Sequence, residues 1–158
     1  MSDPPILRAA TAADAPALAA IIAAAFEQYR GKLVPESGAF RETAAAIAAE
    51  LATGASAIVA EQNGRPVGCV MLKPEEGDLY FGRLSVLPAA RGAGLARRLI
   101  EAVEAEARRR GMPAVRLGVR IVLTDNQRLF RSLGYAEVSR EAHAGFDHPT
   151  SINMRKTL

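Results

Sequence analysis

A strand, a glycine-bearing loop, a long helix and a second strand follow one another in the middle of the chain. Leu79 to Leu87 predicts a β-strand, and Pro88 ends it because proline cannot donate to a sheet ladder. From Leu95 to Arg110 the apolar residues recur at helical spacing, and Gly111 follows where a helix ends. Val115 to Val122 alternates apolar and polar residues, which is typical of a strand. A chain that contains this unit has to combine helices with a sheet.

The rest of the chain predicts further strands and helices around this unit. Strands are expected at 6–10, 56–60, 67–72, 136–140 and 151–157, and helices at 15–26, 41–51 and 126–132. Asn63-Gly64 lies between two of the short strands and predicts a tight hairpin. Thr11 and Asp14 stand where the first helix would be capped. We find no internal repeat, no low-complexity linker and no domain boundary, so residues 1–158 are expected to form one domain.

Composition and cysteine content exclude several protein classes. The chain is 49% hydrophobic and 23% charged, which is typical of a folded globular protein. Its longest apolar run, Ala15 to Phe26, has 12 residues and includes Pro16, whereas a membrane-spanning helix needs about 20. The N-terminus carries an acid and two prolines rather than a secretory signal. Cys69 is the only cysteine, which fits a reducing, cytoplasmic setting.

Charge is distributed unevenly along the chain. Residues 1–79 hold 6 basic and 10 acidic side chains, whereas residues 80–158 hold 14 basic and 7 acidic ones. A basic half favours a polyanionic cofactor or partner, although arginines that only solvate helix faces would give the same count. The abundance of alanine and arginine is also typical of GC-rich bacterial genomes.

The loop from Arg91 to Ala96, with the sequence RGAGLA, has the features of an anion site. It joins a strand directly to a helix N-terminus, where unpaired backbone amides and the helix dipole attract negative charge. Its glycines would let a diphosphate approach the backbone closely. The loop lacks both the GxxxxGK[ST] pattern of a P-loop and the third glycine of a dinucleotide fingerprint. By themselves, two glycines in such a loop favour an ordinary strand-to-helix turn over an anion site.

Two segments of the chain resemble the GCN5-related N-acetyltransferases, the GNAT family. Residues 83–100 (RLSVLPAARGAGLARRLI) are similar to the acyl-CoA-binding segment of that family, whose loop R/Q-x-x-G-x-G/A is present as Arg91, Gly94 and Ala96. Residues 126–135 (NQRLFRSLGY) are similar to its second segment, which begins with asparagine and ends in leucine, glycine and an aromatic residue. The predicted order of elements also matches that fold over nearly the whole chain.

The resemblance implies a fold and a co-substrate. The fold would be a mixed α/β (α+β) architecture: a central, mostly antiparallel twisted sheet flanked by helices. Its parallel strands, 79–87 and 115–122, would splay apart and admit acetyl-CoA, and no metal is implied. The residues implied in cofactor binding are the backbone of Leu84, Ser85 and Val86, the loop Arg91, Gly92, Ala93, Gly94, Leu95 and Ala96, and Asn126. Candidates for contact with the 3′-phosphate of CoA are Arg97, Arg98, Arg128 and Arg131.

The expected reaction is attack of an amine on the thioester, which requires a proton acceptor and a proton donor. The family often places a tyrosine donor four residues before the glycine of the second segment, but Phe130 occupies that position. The remaining candidates for catalysis are Asp78 at the start of the central strand, Tyr80 on the same strand, and His143 in the long loop before the last strand. His148, in the same loop, is a further candidate.

The acceptor would lie near the first inter-helix loop. Glu27, Tyr29 and Glu36 fall in the segment that forms the acceptor pocket in this fold, and the two glutamate carboxylates would suit a cationic amine. We therefore expect a small-molecule or peptide amine as the partner, without nucleic acid or membrane, and a homodimer stays open. One alternative is a non-catalytic module that binds acyl-CoA. Another is a nucleic-acid-associated protein, which the 5% aromatic content does not favour.

Overall fold

The computed structural model describes residues 3–158. Within that range the strands are β1 (Ile6–Ala9), β2 (Ser56–Gln62), β3 (Arg65–Glu75), β4 (Asp78–Val86), β5 (Ala114–Arg120), β6 (Ala136–Glu141) and β7 (Ser151–Thr157). The α-helices are α1 (Ala15–Phe26), α2 (Ala44–Ala52), α3 (Leu95–Arg109) and α4 (Thr124–Ser132). None of these helices is long and apolar enough to cross a bilayer.

The seven strands form one sheet in the order β1-β2-β3-β4-β5-β7-β6. Every neighbouring pair is antiparallel except β4 and β5, which run parallel. Their pairing is short: it joins Leu79–Phe81 to Val115–Leu117 and goes no further. The fold class predicted from the sequence is therefore confirmed, including the splayed parallel pair.

Helices cover both faces of the sheet, and each face has its own apolar core. On one face Leu99 and Val103 of α3 pack with Phe81, Leu117 and Phe130, all of them buried. On the other face lie the buried side chains of α1 and α2, namely Leu18, Ile21, Ile22 and Ile47, against Val59, Cys69 and Met71 of the sheet. Side chains alternate along a strand. The strand residues that neighbour those packed against α3 therefore point to the opposite face of the sheet, the one that α1 and α2 cover.

The local signals in the sequence predict these elements well, with small shifts at their ends. Asn63 and Gly64 both adopt positive φ, at 54° and 78°, as the predicted two-residue hairpin requires. The second helix begins at Ala44 rather than Arg41, because Thr43 Oγ1 accepts a hydrogen bond from Ala46 N (3.0 Å) and caps it. A short 3₁₀ turn, Gly38–Arg41, precedes this cap.

Strand β4 contains a bulge that the sequence analysis did not predict. Pairing with β3 shifts between the couples Cys69↔Ser85 and Met71↔Gly82, so that β4 has one extra residue there. Arg83 lies at the bulge with a φ of 53°, a strained conformation for a residue with a side chain. Past the bulge β4 no longer pairs with β5, and a cleft opens between them.

Candidate active site

A cavity of about 850 Å³ occupies the gap between β4 and β5. At one end it is lined by Gly92 and Gly94 of the loop before α3 and by Ala96 in the first turn of that helix. At the other end it is lined by Pro35, Glu36, Ser37 and Gly38 from the loop between α1 and α2. The cavity therefore connects a helix N-terminus with the first inter-helix loop, across the bulged strand.

The loop before α3 and the first turn of that helix expose backbone amides that have no hydrogen-bond acceptor in the described part of the protein. Gly92 and Gly94 adopt positive φ, at 88° and 78°, and a Cβ built on either would meet no atom within 4 Å. The first amide of α3 with a backbone acceptor is that of Arg98, which donates to Gly94 O (3.1 Å). Within residues 3–158, no amide from 92 to 97 donates to a protein acceptor. These amides, together with the helix dipole, form a site suited to an anion.

The Arg91 side chain is engaged in holding this loop in place. Its Nε donates to Val86 O (3.3 Å), and its Nη2 donates to Ala25 O (3.2 Å) at the end of α1. The guanidinium thus joins α1 to the end of β4. Arg97, Arg98, Arg128 and Arg131 are all exposed, and Arg128 pairs with Asp125 (3.0 Å).

The second half of β4 has one unpaired edge that faces the cleft. On its other edge Gly68 pairs with Val86 and Cys69 with Ser85. Leu84 and Val86 line the cavity, whereas Ser85 is buried and its hydroxyl donates to Arg83 O (2.8 Å). Residues 84–86 can therefore offer main-chain groups to an extended ligand that lies beside them as another strand would.

Helix α4 supplies an apolar wall and one polar contact. Phe130 lines the cavity and packs edge-to-face on Phe81 and Tyr135, with centroids 6.1 and 6.5 Å apart. Asn126 also lines it, and its Nδ2 donates to the Tyr29 hydroxyl (3.2 Å). The structure thus brings together Asn126 and Tyr29, which the sequence analysis assigned to the cofactor and the acceptor respectively.

Asp78 does not lie in the cleft, contrary to the expectation that it acts as a base. Its carboxylate is buried and accepts hydrogen bonds from Arg155 Nε (2.7 Å), Arg155 Nη2 (3.2 Å) and Arg116 Nε. The Arg155 guanidinium, with that of Arg116, holds the pKa of Asp78 below its usual range. A carboxylate so stabilised in its charged form is a poor proton acceptor. We therefore assign Asp78 to the structure of the sheet.

Tyr80 lines the cavity from β4. Its hydroxyl lies against Gly118 of β5, where a Cβ would be 3.5 Å from the hydroxyl oxygen. Burial, followed by the nearby charge of Glu75, raises the pKa of Tyr80. The phenol is therefore protonated at neutral pH and able to donate.

His143 lines the cavity as well, whereas His148 does not. His143 N donates to Thr150 Oγ1 (2.9 Å), and its Nδ1 contacts the same hydroxyl. Burial, with a smaller contribution from Arg120, lowers the pKa of His143, so its imidazole is neutral at pH 7. His148 is exposed and pairs with Asp147 (2.9 Å) outside the cleft.

The acidic wall expected for the acceptor is largely absent. Glu27 has a side chain 58% exposed, pairs with Arg30 (2.8 Å) and does not line the cavity. Glu36 does line it, and it lies 3.7 Å from Arg30. Three arginines that the sequence analysis did not single out line the cavity instead: Arg41, Arg83 and Arg120. The only sequence signal for Arg83 was Gly82, the residue before it, since an isolated glycine inside a strand indicates a bulge.

The chain is similar to known acetyltransferases in both sequence and fold. The sequence model of the acetyltransferase (GNAT) family matches residues 18–135. An IAA acetyltransferase from Azospirillum brasilense is 35% identical over 103 residues, which are 64% of this chain and 67% of that protein.

Two solved structures match nearly the whole chain. A GCN5-related N-acetyltransferase from Rhodopseudomonas palustris has a TM-score of 0.79 at 26% identity, covering 100% of this chain and 98% of its own. The PaiA N-acetyltransferase from Thermoplasma acidophilum, solved in complex with coenzyme A, has a TM-score of 0.80 at 16% identity, covering 98% and 99%.

Proposed function

The chain belongs to the GNAT acetyltransferase family, and on that premise we propose that it transfers the acetyl group of acetyl-CoA to a primary amine of a small molecule or peptide. The observation that carries this proposal is the continuity of the cleft. A loop of unpaired amides, a free strand edge and a phenol lie along one cavity. That order matches a pyrophosphate, a pantetheine arm and a thioester.

The residues present fit acetyl-CoA in both charge and shape. The amides of residues 92–97 and the N-terminal dipole of α3 would bind the pyrophosphate, with charge-assisted hydrogen bonds worth roughly 1.5–3 kcal/mol each. The main chain of Leu84 and Val86 would pair with the amides of the pantetheine arm. Asn126 would contact the same arm from α4. The exposed arginines of α3 and α4 would attract the 3′-phosphate of CoA by their positive charge.

The reaction would need this chain to accept one proton and to donate another. The amine nitrogen attacks the thioester carbonyl carbon, the C–S bond breaks, and an amide and a thiolate form. His143, neutral and facing the cavity, would accept the proton that the amine loses. Tyr80, protonated and facing the cavity, would donate a proton to the thiolate, a role that Phe130 has no group to perform.

Amine-dependent release of free thiol tests this proposal. The protein is incubated with acetyl-CoA and a panel of amines, amino acids and peptides, and the acetylated product is identified by its mass. We expect at least one amine to accelerate thiol release above the rate of hydrolysis and to gain an acetyl group. A complete panel with no acetylated amine would contradict it.

One observation favours a second candidate, a module that binds acyl-CoA without turnover. Phe130 is buried in an aromatic cluster at the position where the family often has its proton donor. The two candidates differ in one result: the module would bind acetyl-CoA in a calorimeter, yet release no thiol with any amine.

A further inference from the structure

Three guanidinium groups converge on the end of the cleft that residues 35–38 line. Arg120 Nη1 donates to Pro35 O (2.7 Å), and its Nη2 donates to Glu36 O (3.4 Å). A Cβ built on Gly38 would lie 2.8 Å from Arg83 Nη2 and 3.4 Å from Arg41 Nη2. All three arginines therefore lie against one short loop, although they come from a 3₁₀ turn and two different strands.

These charges are poorly neutralised by the protein. Within residues 3–158, neither Arg41 nor Arg120 forms an ion pair with a carboxylate, and Arg83 has only a contact of 3.3 Å with Glu42 Oε1. Arg83 and Arg120 are also close enough to repel each other. That repulsion adds to burial in holding the pKa of Arg120 below its usual range. Three like charges with a single carboxylate partner among the described residues favour binding of an anion.

The anion in question is not the phosphate group of the co-substrate. Arg120 alternates along β5 with Val119, whose side chain belongs to the core beneath α3 and α4. The arginine therefore faces the opposite side of the sheet, toward the loop between α1 and α2. The unpaired amides suited to a pyrophosphate are at the N-terminus of α3.

The same end of the cavity also carries negative and neutral polar groups. Glu141 and His143 line it from the segment before β7, and Tyr80 lines it from β4. Burial raises the pKa of Tyr80 and lowers that of His143, and the nearby charge of Glu141 adds to the first shift and opposes the second. An acceptor bound here would contact the arginine cluster on one side. On the other side it would contact Glu141, which lies beside the proposed proton-transfer groups Tyr80 and His143.

We propose that the acceptor carries a carboxylate a few bonds from its reactive amine, and that Arg41, Arg83 and Arg120 bind that carboxylate. The substrate class is thus that of amino acids rather than simple cationic amines. This inference rests on the proposed acetyl transfer. It replaces the expectation of an acid-lined acceptor pocket, because Glu27 points out of the cleft.

Matched acceptors test the inference. Acetyl transfer is measured for L-phenylalanine, its carboxamide and phenethylamine, and for the same three forms of other amino acids. We expect kcat/KM to fall by about 10- to 100-fold when the carboxylate is removed, as for the loss of charge-assisted hydrogen bonds. A peptide amide that begins with aspartate distinguishes a peptide-borne carboxylate from that of a free amino acid.

Arginine variants test whether the preference for carboxylate-bearing acceptors depends on this cluster. Arg120→Gln and Arg83→Gln are compared with Arg65→Gln, which changes an exposed arginine at the start of β3. We expect the preference for the carboxylate form to fall toward one in the first two variants, mainly through KM, and to be unchanged in the third. Arg120→Gln keeps the test valid if Arg83→Gln disturbs the strained bulge.

The outcomes separate this inference from the function on which it rests. If carboxamides and amines are acetylated as fast as amino acids, the inference is wrong and the transferase activity stands. If no amine is acetylated at all, calorimetry of the CoA-loaded protein with N-acetylphenylalanine and its carboxamide decides. Tighter binding of the carboxylate that Arg120→Gln abolishes supports the inference, and equal or absent binding of the two ligands overturns it.

Discussion

Replacing Asp78 with asparagine separates a structural carboxylate from a catalytic one. The Asp78 side chain is 3% exposed and neutralises Arg116 and Arg155, whose side chains are 29% and 31% exposed. Removing one partner of a fully buried ion pair costs about 3–5 kcal/mol. Because water reaches both arginines here, we expect a smaller loss than this, of about 2–3 kcal/mol in the free energy of unfolding. For a chain of this length that lowers Tm by about 4–12 °C.

Thermal unfolding followed by circular dichroism measures this loss, with Asp147→Asn as the control. The control removes a carboxylate that is 99% exposed and should change stability by less than about 0.5 kcal/mol. The correctly folded fraction of Asp78→Asn should keep its turnover. A variant with the Tm of the control and no acetyl transfer would refute our assignment, because that result is expected of a catalytic base.

The pH dependence of stability gives a second readout on the same residue. The pKa of Asp78 is lower in the folded chain than the ordinary value of about 3.9, so the unfolded chain binds the proton more readily. Its contribution to stability is therefore complete above about pH 5 and is lost as the pH falls through the lowered pKa. We expect the stability of Asp78→Asn to depend less steeply on pH in this acid range. Equal slopes for the variant and the wild type would contradict the ion-pair account.

Three further predictions concern catalysis, cofactor binding and the core. Tyr80→Phe should lower kcat by about 10²- to 10⁴-fold, the contribution of a general acid, and leave acetyl-CoA affinity unchanged in calorimetry; an unchanged kcat would exclude Tyr80 as the donor. Raising the salt concentration from about 50 mM to about 500 mM should weaken acetyl-CoA binding because it screens the exposed arginines, and a constant Kd would contradict their role. Leu99→Ala should cost about 2–5 kcal/mol in chemical denaturation, since Leu99 is fully buried under the sheet; a loss below about 1 kcal/mol would contradict the core described above.

Features that depend on neighbouring residues could be predicted from the sequence. Helix α3 begins at Leu95 as its periodicity indicated and ends within a residue of the prediction, and the hairpin forms at Asn63-Gly64 because that dipeptide tolerates positive φ. The loop before α3 could be recognised for the same reason. Its glycines and its position before a helix are local properties.

Features that depend on distant parts of the chain could not be predicted in this way. Asp78 was a candidate base at the start of the central strand, yet strand pairing brings Arg116 and Arg155 onto it from 38 and 77 residues away. Arg120 looked like one polar position of an alternating strand, yet it meets a loop 85 residues earlier in the chain. Glu27 was predicted to face the acceptor, but Arg30, three residues along, pairs with it outside the cleft.

Calorimetric titration of acetyl-CoA into Gly94→Glu and Gly64→Glu is the most direct test of the central claim. Both glycines have a φ of 78°, and a Cβ on either meets no atom within 4 Å, so the two variants have the same backbone strain and the same added charge. Only Gly94 lies in the loop of unpaired amides. We predict that Gly64→Glu binds acetyl-CoA like the wild type and that Gly94→Glu binds it at least about 100-fold more weakly, as loss of several charge-assisted bonds implies. Equal affinities for the two variants, with both folded, would contradict the claim that this loop holds the cofactor.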